Sequence, residues 1–240
     1  MQQLSYFELV GFGPNGWGFS LLRAAGMTLA VAACGFVLGA LFGSLIAWGK
    51  IAGGLVVRAL ADGYTTVLRG IPDLLVIYLF YFGGSAVLGK IGSLFGYDGF
   101  IGLPAFATGA VAIGVVSAAY QAEVFRGAFQ TVSRGEIEAA KSVGMHRFLM
   151  FRRIIAPQVL RYAIPGLGNV WQLVLKESAL ISVTGLVELL RQSNIAAGST
   201  RRPFDFFLTA AAIYLVITWV STLLFQRAET YSLRGVRRAA

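Results

Sequence analysis

AAGMTLAVAACGFVLGALFGSLIAWG, residues 24–49, runs for 26 residues without a charge. A helix of roughly 20 apolar residues crosses about 30 Å of hydrocarbon, so this run is long enough to span a bilayer. It lacks the alternation of an outer-membrane strand. Two more uncharged runs are of similar length, 99–122 with 24 residues and 206–226 with 21. Two weaker ones complete the set. Residues 74–89 are 16 uncharged residues bounded by Asp73, and 162–175 are 14 followed by Lys176-Glu177 and a further uncharged stretch to Val187. Polar breaks of this kind are tolerated where they face protein or a water-filled cavity. The fold class expected is an all-α integral membrane protein with five transmembrane helices, at about 20–49, 60–89, 99–125, 162–187 and 206–227.

Composition excludes the competing classes. The chain is 57% hydrophobic and 13% charged, with a mean hydropathy of +0.72, against about 25% charged residues in soluble domains. Cys34 is the single cysteine and cannot form an internal disulfide, and the single His146 has no ligand partners nearby, so no metal site is expected. Residues 1–18 lack a basic n-region and a small-residue cleavage site and do not read as a signal peptide. Trp17 and Phe19 suit a membrane interface. The net charge of +9 is accounted for by orientation and contact with membrane lipid, and no nucleic acid partner is expected.

Fourteen Lys and Arg fall on the side of the bilayer that holds the C-terminus and five on the other. The positive-inside rule therefore puts the N-terminal segment (1–19) outside and the tail (229–240) on the cytoplasmic side. Arg191, Arg201 and Arg202 run against the trend on the outer side. Gly35, Gly39 and Gly43 recur every fourth residue in the first span. They permit close helix approach, either within the chain or at a subunit interface.

The most basic segment, 123–161, is a helix-compatible loop between two spans. Ser133 with Glu136 is placed to form a capping box. Gly144 breaks or caps the first helical run, and a second run from Arg147 is expected to end at Pro157, with Phe148, Phe151 and Ile155 on one side. Within the loop stand Glu138-Ala139-Ala140, then Gly144 after three residues, Ile154 after nine more, and Pro157 behind Ile155-Ala156.

This order resembles the EAA loop of the permease subunits of bacterial ATP-binding-cassette importers. Ala156 departs from it, standing where the family usually has Leu. GYTTVLRGIPDL (63–74), YQAEVFRGAF (120–129) and RYAIPGLGN (161–169), with Trp171-Gln172 and Leu175-Lys176, are similar to segments of polar-amino-acid permeases. They come closest to the Q-type permeases of histidine/lysine/arginine/ornithine and of octopine or nopaline importers. The likeness covers roughly residues 20–235. It implies a type I importer permease domain over 20–228 and a coupling loop over about 131–160, in which Glu138, Ala139, Ala140, Gly144, Ile154 and Pro157 dock on an ATPase. The implied partners are an ATP-binding-cassette ATPase dimer, a second related permease and a periplasmic solute-binding protein. The implied solute is a cationic amino acid or an opine.

The chain has no G-x-x-x-x-G-K-[ST] phosphate loop and no Ser/His/Asp set. It is therefore not expected to be an enzyme or to hold a cofactor, ATP and magnesium belonging to the partner. Polar residues at membrane depth are the candidates for a solute path or gate. They are Asp73 behind Pro72; Glu123, which can pair with Arg126 at i, i+3; Asn169 and Gln172, three apart; and Lys176 and Glu177, which point about 100° apart on a helix. A stand-alone ion-coupled secondary transporter is the alternative reading, against which stands the lack of an inverted repeat. A non-transporting scaffold is a third.

Overall fold

A computed structural model describes residues 5–14, 16–96 and 102–233. Among them every regular element is helical. After a short α1 (Tyr6–Val10), α2 (Gly18–Ala52) runs for 35 residues, about 52 Å at 1.5 Å per residue. Then come α3 (Leu55–Gly70), α4 (Asp73–Leu94), α5 (Ala105–Gln130) and α6 (Arg134–Ser142). α7 (147–177) is followed by a 3₁₀ segment (Ser178–Thr184), α8 (Leu189–Thr200) and α9 (Pro203–Ser232).

α2, α4, α5 and α9 are each long and apolar enough to cross a membrane. α5 is the central one, with 67% of its most apolar window buried against 11% for α9. Its small residues Ala112, Ala118, Ala119 and Ala122 are wholly buried and let neighbouring backbones approach. The glycine stripe of α2 packs on α5 within the chain. A Cβ at Gly35 would come within 2.6 Å of Ile113, and one at Gly39 within 2.6 Å of Ser117 Oγ. The outward face of α2 presents Val37, Leu41, Leu45 and Trp48, as expected for contact with lipid.

Three differences from the sequence expectation concern helix boundaries. The stretch 60–89 is not one rod. Pro72 lacks an N–H and drives Ile71 into extended backbone (φ −103°, ψ 149°), so 60–70 belong to the amphipathic α3 and the apolar helix starts at Asp73. Pro157 does not end a helix. The turn Phe151–Ile155 widens to π-type hydrogen bonding, which accommodates the missing donor and the ring, and helix continues to Glu177. The stretch 162–187 leaves α-helix at Glu177, tightens to 3₁₀, and stops where Gly185 takes φ +91°. The start of the expected third span (99–101) and tail residues 234–240 lie outside the described residues.

Side chains gather in three clusters along the bundle. The middle one joins Val31, Ile77, Ile113, Val174 and Ile181. At one end, Leu9, Leu21, Leu189, Ala196 and Phe206 hold α1 and α8 onto α2 and α9. At the other, Ala140, Met150 and Ile155 fasten α6 beneath the bundle.

Candidate coupling surface and solute path

α6 and the first turns of α7 form a hairpin at the loop end. α6 closes with Gly144 at φ +78°, where the Gly144 N–H donates to the Lys141 carbonyl (3.0 Å) and the Met145 N–H to the Ala140 carbonyl (3.0 Å). This is the Schellman pattern, and it needs the left-handed residue that glycine supplies. Ala140 is buried against Met150 and Ile155, with Ile154 and Met145 packed around them. Glu138 and Ala139 point the other way and are exposed, as is Pro157. The motif thus divides by burial. Ala140, Gly144 and Ile154 shape the hairpin, while Glu138 and Ala139 are displayed on it.

The expected capping box does not form. Ser133 makes no side-chain cap bond, and the Glu136 carboxylate accepts instead from Gln158 Nε2, which ties α6 to α7. Of the three apolar residues expected on one side of α7, Ile155 is buried and Phe151 meets Trp48 edge-on at 5.9 Å. Phe148 is exposed on the outer side of the hairpin.

Five of the six polar candidates for the path fall in three places, and Lys176 stands apart from them. Asp73 and Glu177, 104 residues apart in the chain, are brought close enough for their carboxyls to interact. Glu177 is buried and its Oε1 has no hydrogen-bond partner. Lys176 is exposed, in keeping with the angle between adjacent helical residues. Asn169 and Gln172 line a different cavity of about 250 Å³ between α7 and α9. There the Gln172 Nε2 donates to Thr222 Oγ1 at 3.2 Å, which is a helix–helix tie.

Glu123 belongs to a third group. It accepts from Arg126 Nε and Nη2 at 2.9 and 2.7 Å, as the i, i+3 spacing predicts. It also accepts from Lys50 Nζ. The Lys50 side chain is 5% exposed, and its ammonium also donates to Thr65 Oγ1 (2.6 Å) and lies 2.8 Å from Asp62 Oδ1. The ammonium thus meets three oxygens, and one cation joins α2, α3 and α5. With Ile51, Arg58, Arg69 and Gln130 these groups line a cavity of about 610 Å³.

Sequence reasoning missed this junction and counted Lys50 only toward topology. The available signal was a lone cation closing a 26-residue uncharged run. Glu188 was missed as well. Fully buried, it caps α8 through the Leu190 and Arg191 N–H groups (2.8 and 2.7 Å) and accepts from Tyr214 Oη at 3.3 Å. Its signal was an acid immediately before a helical run, obscured because Glu is not a preferred N-cap residue.

An apolar bundle with a small hairpin displayed at one end and acidic groups buried within it has the form of a transport subunit moved from outside. Comparison with known proteins agrees. The chain belongs to the family described as binding-protein-dependent transport system inner membrane component, whose family model matches residues 35–238. It is 60% identical to the octopine transport system permease protein OccQ of Rhizobium meliloti, over 98% of this chain and 99% of that one. It is 40% identical to the histidine/lysine/arginine/ornithine transport system permease protein HisQ of Escherichia coli, over 93% and 98%. The crystal structure of an amino acid ABC transporter with histidines superposes with a TM-score of 0.75 at 33% identity, covering 90% of this chain and 95% of that one. The protein is a membrane-embedded permease subunit of an ABC importer with the type I fold. It works with an ATPase and a solute-binding protein, and ATP hydrolysis belongs to a separate subunit. These findings displace the readings as a stand-alone ion-coupled transporter and as a scaffold.

Proposed function

We propose that this permease moves a cationic amino acid or an opine inward, with its N-terminus periplasmic and its C-terminus cytoplasmic in the inner membrane. The single observation that carries the solute class is the Asp73–Glu177 pair, two facing carboxyls with one buried oxygen of Glu177 left without a partner. An unpaired buried carboxylate is costly, and an ammonium or guanidinium passing beside the pair would supply the missing charge and donors. The names of the octopine and histidine/lysine/arginine/ornithine relatives support the same class.

The remaining parts follow from that reading. Five helices span the membrane, the fifth being the more polar α7. A second, related permease completes a heterodimer, and an ATPase dimer docks on Glu138-Ala139 and the hairpin behind them. ATP and magnesium bind to that ATPase, and this chain itself carries no cofactor. Closure of the ATPases pushes α6, and the Ala140–Met150–Ile155 contact passes the motion to α7 and so to Glu177.

The test is uptake of labelled octopine and arginine into proteoliposomes holding the full importer with its receptor. Asp73→Asn and Glu177→Gln should each lower uptake at least about tenfold, the scale of losing one charge-assisted pair, while the assembled complex is recovered in normal yield. Wild-type uptake by the doubly substituted complex would remove the acidic pair from the path.

A further inference from the structure

The cavity beside Lys50 has a charge pattern that the transport assignment does not explain. Four cations line it, Lys50, Arg58, Arg69 and Arg126, against two carboxylates, Asp62 and Glu123. Both carboxylates are already engaged, Asp62 by Lys50 and Glu123 by Lys50 and Arg126. Arg58 and Arg69 therefore have no ion-pair partner among the described residues. They stand eleven residues apart on α3, three turns and on the same face. Arg69 is held over the Tyr120 ring at 5.5 Å from its centre. Asp73 opens α4 four residues after Arg69, just across the Ile71-Pro72 break.

A concave site with excess positive charge concentrates anions, and a guanidinium offers a planar fork that matches a carboxylate. A volume of about 610 Å³ lies within the range of small-molecule sites, roughly 300–1,000 Å³. Lining residues Ile51 and Gln130 sit at the loop ends of α2 and α5, so in the orientation proposed above the cavity is the cytoplasmic vestibule.

We propose that Arg69, with Arg58 three turns further out on the same helix, is the subsite for the carboxylate of the departing solute, the positive counterpart of the Asp73–Glu177 pair. This rests on the reading of Asp73 and Glu177 as the cation subsite. The two subsites together select a solute carrying both charges. An inner-leaflet lipid phosphate shares the oxyanion chemistry and is separated from the solute carboxylate by the test.

The experiment measures equilibrium binding of labelled arginine and of agmatine, its decarboxylated analogue, to the full permease–ATPase complex without receptor. Nanodiscs are made of phosphatidylcholine alone or with phosphatidylglycerol. Wild type should bind arginine about tenfold tighter than agmatine, the worth of one charge-assisted carboxylate pair. Arg69→Gln should erase that preference while leaving agmatine binding in place, and Arg69→Lys should restore part of it. Equal affinity for the two compounds in wild type, an equal loss of both in Arg69→Gln, or no measurable binding of either at millimolar concentration overturns the proposal. So does a preference that Arg69→Gln leaves intact. A preference abolished whenever phosphatidylglycerol is present assigns the arginines to lipid phosphate and also overturns it. Failure of the underlying reading shows separately, as binding of both compounds unchanged by Asp73→Asn with Glu177→Gln.

Discussion

Replacing Lys50 by Met keeps the apolar stem and deletes the ammonium that joins three helices. The contacts set the size of the effect. The arm to Asp62, whose side chain is 56% exposed, falls in the range of surface pairs, about 0–1 kcal/mol. The arm to Glu123, 21% exposed, is closer to a buried pair, where removing one partner costs roughly 3–5 kcal/mol. Glu123 keeps both bonds from Arg126, however, so its charge is not abandoned. A loss of about 2 kcal/mol results, in the range of a hydrogen bond to a charged group. Adding Glu123→Gln removes the half-paired charge, so the double variant should be less destabilised than the sum of the singles by about 1 kcal/mol. The measurement is unfolding of the purified chain in graded denaturing detergent for wild type, both single variants and the double. Limited proteolysis at Gly53-Gly54 reports whether α3 has come loose. A coupling energy under about 0.3 kcal/mol, the scatter of independent sites, with α3 no more cleavable than in wild type, would refute the claim that Lys50 fastens α3 to the bundle.

Two further outcomes test the packing and the coupling surface. Gly39→Val places branched carbons where even a Cβ would lie 2.6 Å from Ser117 Oγ and 2.7 Å from Gln121 Nε2. It should cost upwards of about 1–3 kcal/mol and collapse the yield of monodisperse protein on size exclusion, whereas Gly26→Ala, with nothing within 4 Å, should express normally; equal yields would contradict the α2–α5 contact. Glu138→Arg alters an exposed side chain that makes no hydrogen bond or ion pair among the described residues. Thermal stability of the permease should therefore stay within about 0.5 kcal/mol while uptake and solute-stimulated ATP hydrolysis fall together, and survival of both activities would reject Glu138 as a docking residue.

Much of the architecture was readable along the chain, because the relevant physics is local. Uncharged runs long enough to cross hydrocarbon marked the apolar helices. Gly144 marked the end of α6, since only a glycine enters the left-handed region there without strain. Spacing by fours put Gly35, Gly39 and Gly43 on one face, and spacing by three paired Glu123 with Arg126. The break before Asp73 was local too, written in Ile71-Pro72, yet the apolar run that follows it disguised it.

What tertiary structure decided was which faces meet. Helical periodicity fixes the azimuth of a residue on its own helix but not which neighbour lies opposite. For that reason the glycine stripe could have served either a subunit contact or α5, and only the fold chose α5. Lys50 finds partners 12, 15 and 73 residues away, and Glu177 finds Asp73 from 104 residues away. Pro157 is accommodated by a widened turn, although Pro carries a strong local stop signal. Charge pairs of this kind depend on distances of a few ångströms in a low-dielectric interior. Those distances exist only after the helices have packed.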